Sequence, residues 1–250
     1  MRLFENLTAT QEPAWPELRR LVSEASVTAR ALDADEPTSR RTLEQLQVTT
    51  GSFLGAVVVH TGGLLIDQGW LRVYGSPTPG GPDHLPSLAT VNGFPPTPED
   101  TWFPAHGLVV AHDVLGGTYV LNGSDPAAVA RPGGSGEMIY LAPDTLQWEP
   151  LEAGYAAWLA WVLDGGLADF TEGLRWDGWD AETRGLRGDH GLGLLPPLWS
   201  REAHADLSAT GRAAVPMAEL VWAIRSAAAQ IDGSDPGPLG ALDTREPDSR

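Results

Sequence analysis

Gly62-Gly63-Leu64-Leu65-Ile66-Asp67-Gln68-Gly69-Trp70-Leu71-Arg72-Val73-Tyr74 is the stretch that decides the fold. Two short apolar runs flank Asp67-Gln68-Gly69, residue types that favour tight turns, and Gly62-Gly63 turns the chain before the first run. This is the pattern of antiparallel neighbours in a meander. Working outward, Leu54 to His60 is rich in β-branched residues and reads as the preceding strand. Downstream, Leu108 to Ala111, Thr118 to Leu121 and Met138 to Leu141 repeat the pattern, parted by Gly116-Gly117 and the Gly-rich 123–136 segment. A central antiparallel or mixed sheet of five to six strands follows.

Helical spacing surrounds these strands. Trp15, Leu18, Leu21, Val22 and Ala25 share one stripe, with Pro13 and Pro16 confined to the opening turn. Pro37 to Gln47 reads as a second helix, and Tyr155 to Leu163 as a third that stops at Gly165-Gly166. Asp169 to Trp176 and Trp179 to Leu186 read as short helices, and Pro216 to Gln230 as the last. The fold class is α+β. Residues 1–200 form the expected main domain, 201–230 a C-terminal helical extension, and 231–250 a disordered tail of Asp, Gly, Pro and Ser. Between residues 75 and 105, eight prolines exclude a regular ladder of backbone bonds, so a long loop is expected there.

Charge is distributed regionally. Of a net −17 over 250 residues, −11 falls between Val73 and Leu174, where twelve carboxylates face one arginine, Arg131. Such a face repels phosphate polyanions and attracts basic partners. Nucleic-acid binding is therefore excluded as an expectation, since it draws on clustered cations. Arg40-Arg41, the nearest approach to such a cluster, reads as a solvated helix face. All sixteen basic residues are Arg, and there is no Cys. Disulfides, thiolate chemistry and cysteine zinc sites are thereby ruled out. No apolar run approaches the ~20 residues that span a bilayer, and the amino end lacks a secretory signal, so a soluble cytoplasmic protein without a cofactor is expected.

Leu46-Gln47-Val48-Thr49-Thr50, Gly62 to Arg72, Asp113-Val114-Leu115-Gly116-Gly117, Ala142 to Glu149 and Gly173-Leu174-Arg175-Trp176 together resemble the bacterial domain-of-unknown-function family DUF2625. The resemblance runs from about residue 5 to about residue 230 and takes in Arg212 to Met217. Element order also resembles the SUKH superfamily, α/β modules whose bacterial members are mostly immunity proteins that bind toxins. That second resemblance implies a SUKH-like, immunity-like binding module. The 75–105 segment and the C-terminal extension depart from a minimal module of that kind.

Three functional classes arise. The first is a protein-binding module whose acidic and aromatic face, Glu137, Asp144, Trp148, Glu149, Glu152, Trp161, Asp164, Asp169 and Glu172, docks a basic partner such as a toxin domain. Trp158 and Trp161 cannot both enter one narrow core stripe, which leaves one exposed on that face. The second is a metal-assisted hydrolase using His60, Asp67, His112 and Asp113, which requires the four to converge within ~5 Å of one point. Against it, His112 and Asp113 are consecutive in a strand and point to opposite faces, and Asp113 suits a capping role for the Gly116-Gly117 turn. The third is a homo-oligomeric structural protein. Neither Ser52 nor Ser76 has the Gly-x-Ser-x-Gly setting of a nucleophile, and Gly133 to Gly136 lacks the Lys of a phosphate loop.

Overall fold

Strands β1 (Ala29–Leu32), β2 (Gly63–Ile66), β3 (Leu71–Tyr74), β4 (Leu108–Asp113), β5 (Thr118–Leu121), β6 (Glu137–Leu141) and β7 (Trp148–Gly154) form one sheet in that spatial order. Every neighbouring pair is antiparallel. This computed structural model describes residues 1–80, 83, 85–231 and 235–241. Among them are ten α-helices: α1 (Phe4–Thr8), α2 (Trp15–Ser23), α3 (Glu36–Leu46), α4 (Phe53–His60), α5 (Leu88–Val91), α6 (Tyr155–Leu163), α7 (Gly166–Phe170), α8 (Trp179–Arg184), α9 (Arg201–Ala205) and α10 (Met217–Ile231). None of the described helices is long and apolar enough to cross a membrane.

The α+β class holds, with seven strands in the sheet where five to six were expected. The two strands that escaped notice are its edges. β1 reads Ala-Arg-Ala-Leu without a β-branched residue, and β7 carries Pro150 and two glutamates. Edge strands tolerate Pro and charge because one side of the ladder stays open. In the opposite sense, Leu54 to His60 is not a strand but helix α4. The Ser52 hydroxyl accepts from the Gly55 amide and starts it, and Leu54 and Ala56 to Val58 are all buried. Burial around the helix overrides the strand preference of Val57-Val58-Val59.

The 75–105 segment is packed rather than a bare loop. Leu85, Leu88 and Val91 are fully buried, the last two on α5. Prolines cannot supply amide donors, so two side-chain amides hold the segment instead. Asn92 exchanges bonds of 2.8 Å with the backbone N–H and C=O of Val109. Gln45 donates to the carbonyls of Glu99 and Trp102 and accepts from the Glu99 amide.

The 201–230 segment is not wholly helical either. β8 (His190–Leu195) and β9 (Gly211–Pro216) make a second, two-stranded antiparallel sheet, on which α10 packs. Gly191, Gly193, Ala213 and Ala214 give these strands little side-chain signature. Part of the expected disordered tail is also anchored. Leu239 is fully buried with Leu141, Leu146, Met217, Val221, Ile224 and Ala228. The Trp148 indole donates to the Pro236 carbonyl at 3.1 Å, and Arg131 donates to the Pro238 carbonyl. Residues 232–234 and 242–250 lie outside the described residues.

If Leu239 anchors the segment, Leu239→Ala should cost about 2–3 kcal/mol in urea unfolding, as for other buried leucines. An unchanged midpoint would show that the tail contributes nothing to the second core.

Candidate functional site

The acidic edge is built from the last strand of the sheet and the helices that follow it. Glu137 opens β6 and pairs with Gly154, and Asp144 lies in the β6–β7 connection. Glu149 and Glu152 sit on β7, Trp161 and Asp164 on or at the end of α6, and Asp169 and Glu172 on and after α7. α6 packs on β6, β7 and α7, so these residues lie along the β7 side of the sheet, with Glu137 and Asp144 at opposite ends of the β6–β7 hairpin. Burial holds the Glu149 carboxyl above its ordinary range, with the Asp144 charge adding to the effect. A cation beside Glu149 would shift it the other way.

None of these seven carboxylates forms an ion pair among the described residues. Arginines from the two ends of the chain are engaged elsewhere: Arg40 with Glu5, Arg175 with Asp67, Arg184 with Asp180, and Arg212 with Glu182. Arg131 is buried against the Trp148 ring and backbone carbonyls.

An aromatic ladder leads from the core to this edge. Trp158 lies 5.5 Å from Tyr119, which lies 4.6 Å from Tyr140, and Phe170 meets Tyr140 edge-on at 5.2 Å. Trp161 closes the ladder against Phe170 at 5.8 Å and remains 38% exposed, whereas Trp158 is 1% exposed. The helix spacing that forbade both from one stripe is thus resolved in favour of Trp158. Trp161 lies flat over Gly166, where any Cβ would overlap the indole. Trp148 does not join this edge. Its ring turns to the other sheet face and anchors Arg131 and the 235–241 segment.

His60, Asp67, His112 and Asp113 are not brought together, and no group of three or more potential metal ligands exists among the described residues. His60 stacks on Trp15 at 4.8 Å. Asp67 sits in the left-handed β2–β3 turn and pairs with Arg175 at 2.7 Å. Asp113 is fully buried and accepts from the Leu115 and Gly117 amides at 2.9 Å and from the Tyr140 hydroxyl at 2.8 Å. That is the capping role expected of it, and Gly117 is required because a Cβ there would overlap both Asp113 and Tyr140. Burial raises the Asp113 carboxyl despite these bonds.

His112 points to the opposite sheet face, directly across from Arg72. Its Nδ1 lies 2.7 Å from the Tyr74 hydroxyl. Burial first, then the Arg72 charge, depresses the imidazole to about 3. Arg72 is 2% exposed, and its Nε and Nη1 have no hydrogen-bond partner among the described residues. Its signal was legible: a lone arginine inside Trp70 to Tyr74, whose alternation places it with Tyr74 and away from Leu71 and Val73.

Comparison with known proteins places the chain among uncharacterised relatives. The family described as "Protein of unknown function DUF2625" matches residues 4–220. The uncharacterized protein YbfG of Escherichia coli (strain K12) is 35% identical over 211 residues, covering 82% of this chain and 89% of that protein. An uncharacterized protein of Haemophilus influenzae (strain ATCC 51907 / DSM 11121 / KW20 / Rd) is 32% identical over 198 residues, covering 79% and 83%.

The buried imidazole sets a pH dependence. Folded His112 stays neutral down to about 3, while the unfolded chain takes up the proton near 6.5. Between those values the unfolded state binds more protons, so His112 removes stability as pH falls from 6.5 toward 3. His112→Gln, which leaves Tyr74 a side-chain partner, should flatten that part of a plot of urea midpoint against pH. An unchanged slope would contradict the assignment.

Proposed function

The chain belongs to the DUF2625 family, and on that footing we propose that it is a protein-binding module whose acidic edge docks a basic protein. The observation that carries this reading is a set of seven carboxylates, none with an ion-pair partner among the described residues, along β6–β7, α6 and α7, elements that also carry the half-exposed indole of Trp161. Aromatic anchors ringed by charge are the usual energetic centres of protein interfaces, and an unneutralised field speeds encounter with a cationic partner. A bland role for the same charges is to keep the open edge of β7 from pairing with other chains, a role Pro150 shares. That role needs charge on β7 alone. Asp164, Asp169 and Glu172 extend the field over the helices beyond it.

The resemblance of the element order to the SUKH superfamily supports an immunity-like setting, in which the partner is a basic toxin domain. The cytoplasm suits a chain without cysteine.

A pull-down from lysate of the producing bacterium tests the reading. At low salt the immobilised protein should retain a basic partner that about 0.5 M added salt releases, since exposed charges are screened there. Trp161→Ala combined with Glu152→Arg, Asp169→Arg and Glu172→Arg should weaken retention at least about tenfold. Retention of no partner, or of one indifferent to both salt and charge reversal, would sink the proposal.

A further inference from the structure

Among the described residues the Arg72 guanidinium is a buried cation without a salt bridge, and across from it the Nε2 of His112 is also buried without a hydrogen-bond partner. Directly opposed residues in an antiparallel pair hold their Cβ atoms about 5 Å apart on one face, so the two side chains emerge together. The carboxylates nearest in the fold are committed elsewhere. Asp189 is held by Arg187 at 3.0 Å and His190 at 2.7 Å. Asp113 is on the other sheet face, bound to Tyr140 and two amides.

The tautomer of His112 follows from Tyr74. We assign the Tyr74 O–H, which meets no other acceptor among the described residues, as the donor to Nδ1, which places the ring proton on Nε2. Arg72 has only N–H groups to offer. Two buried side chains therefore present donors and no acceptor, and an uncompensated buried charge is strongly unfavourable. Ser76, whose buried hydroxyl also has no partner among the described residues, lies beyond the end of β3.

We infer that Arg72 and His112 form the recognition end of a site for a small oxyanion, a carboxylate or phosphate group received by the planar guanidinium and the Nε2–H. The guanidinium fork matches two oxygens of either group, and the imidazole supplies a third donor. A cleft of about 220 Å³ is walled by Leu65, the residue opposite Arg72 in β2, together with Arg30 and Gly188; Arg72 and His112 themselves do not line it. This site is independent of the acidic edge, and that edge disfavours larger polyanions at long range.

Thermal unfolding of the full chain tests the inference, with sodium phosphate and sodium acetate titrated separately against sodium chloride at equal ionic strength. With the bound anion at ten times its Kd, the midpoint should rise by about 3–6 °C. Whichever of phosphate and acetate raises it identifies the group. Arg72→Met, which replaces the unpaired charge by an apolar chain of similar length, should fold and lose the rise. The Arg72 Nε–H resonance of the unaltered protein gives a second readout and should shift saturably with the same anion. A rise that sodium chloride reproduces, a rise shared equally by Arg72→Met, or an Nε–H signal unmoved by both oxyanions would overturn the site.

Discussion

The pairing of β3 with β4 governs the polar interior of this protein. Leu71 lies opposite Asp113, and Arg72 opposite His112. Because alternate residues of a strand face opposite ways, this register sends one carboxylate to the helix-covered face and one imidazole with one guanidinium to the other. A slip of β3 by one residue against β4 would turn Arg72 to the helix-covered face, among the aromatic rings and away from His112. Each group is then met by what its own face provides. Asp113 finds two turn amides and Tyr140, while His112 finds Tyr74. The Arg72 Nε and Nη1 find no hydrogen-bond partner among the described residues, and the sheet thereby holds a positive centre inside a strongly negative molecule.

The outer charge has a related origin. Arginines contributed by the two ends of the chain pair locally with acids of those ends, such as Glu5, Asp180 and Glu182. Arg131, which comes from the acidic segment itself, is drawn inward to carbonyls and the Trp148 ring. Glu152 of β7 and the carboxylates of α6, α7 and the residues that follow them are left to solvent, with Glu149 half-buried. Those elements also carry the outer end of the ladder from Trp158 through Phe170 to Trp161, a rigid support for an exposed indole.

Local patterning made the central strands, the α6 and α10 helices and the Asp113 turn legible in the chain. Each has a period or a turn chemistry contained within ten residues or so. Where reading failed, the deciding contact was distant. α4 is a helix because its β-branched residues are buried on several sides, which no local period announces. The 75–105 segment is ordered through Asn92 on Val109 and Gln45 on Glu99, bonds that link residues far apart in sequence. Trp148 looked like a member of the acidic face because of its neighbours in sequence, yet strand alternation turns it away from Glu149. His60 and Asp67 looked like possible ligands, but Trp15 and Arg175 claim them first. The Arg72 environment could have been suspected from alternation alone, although its want of a partner could not.

Nitrogen-15 spectroscopy of the His112 ring tests the β3–β4 arrangement most directly. The structure predicts a neutral imidazole protonated on Nε2, with signals that stay fixed as pH is lowered through the ordinary histidine range around 6.5. A ring that gains its proton near 6.5 would contradict both the burial of His112 beside Arg72 and the register that puts it there, and one protonated on Nδ1 would reverse the hydrogen bond with Tyr74.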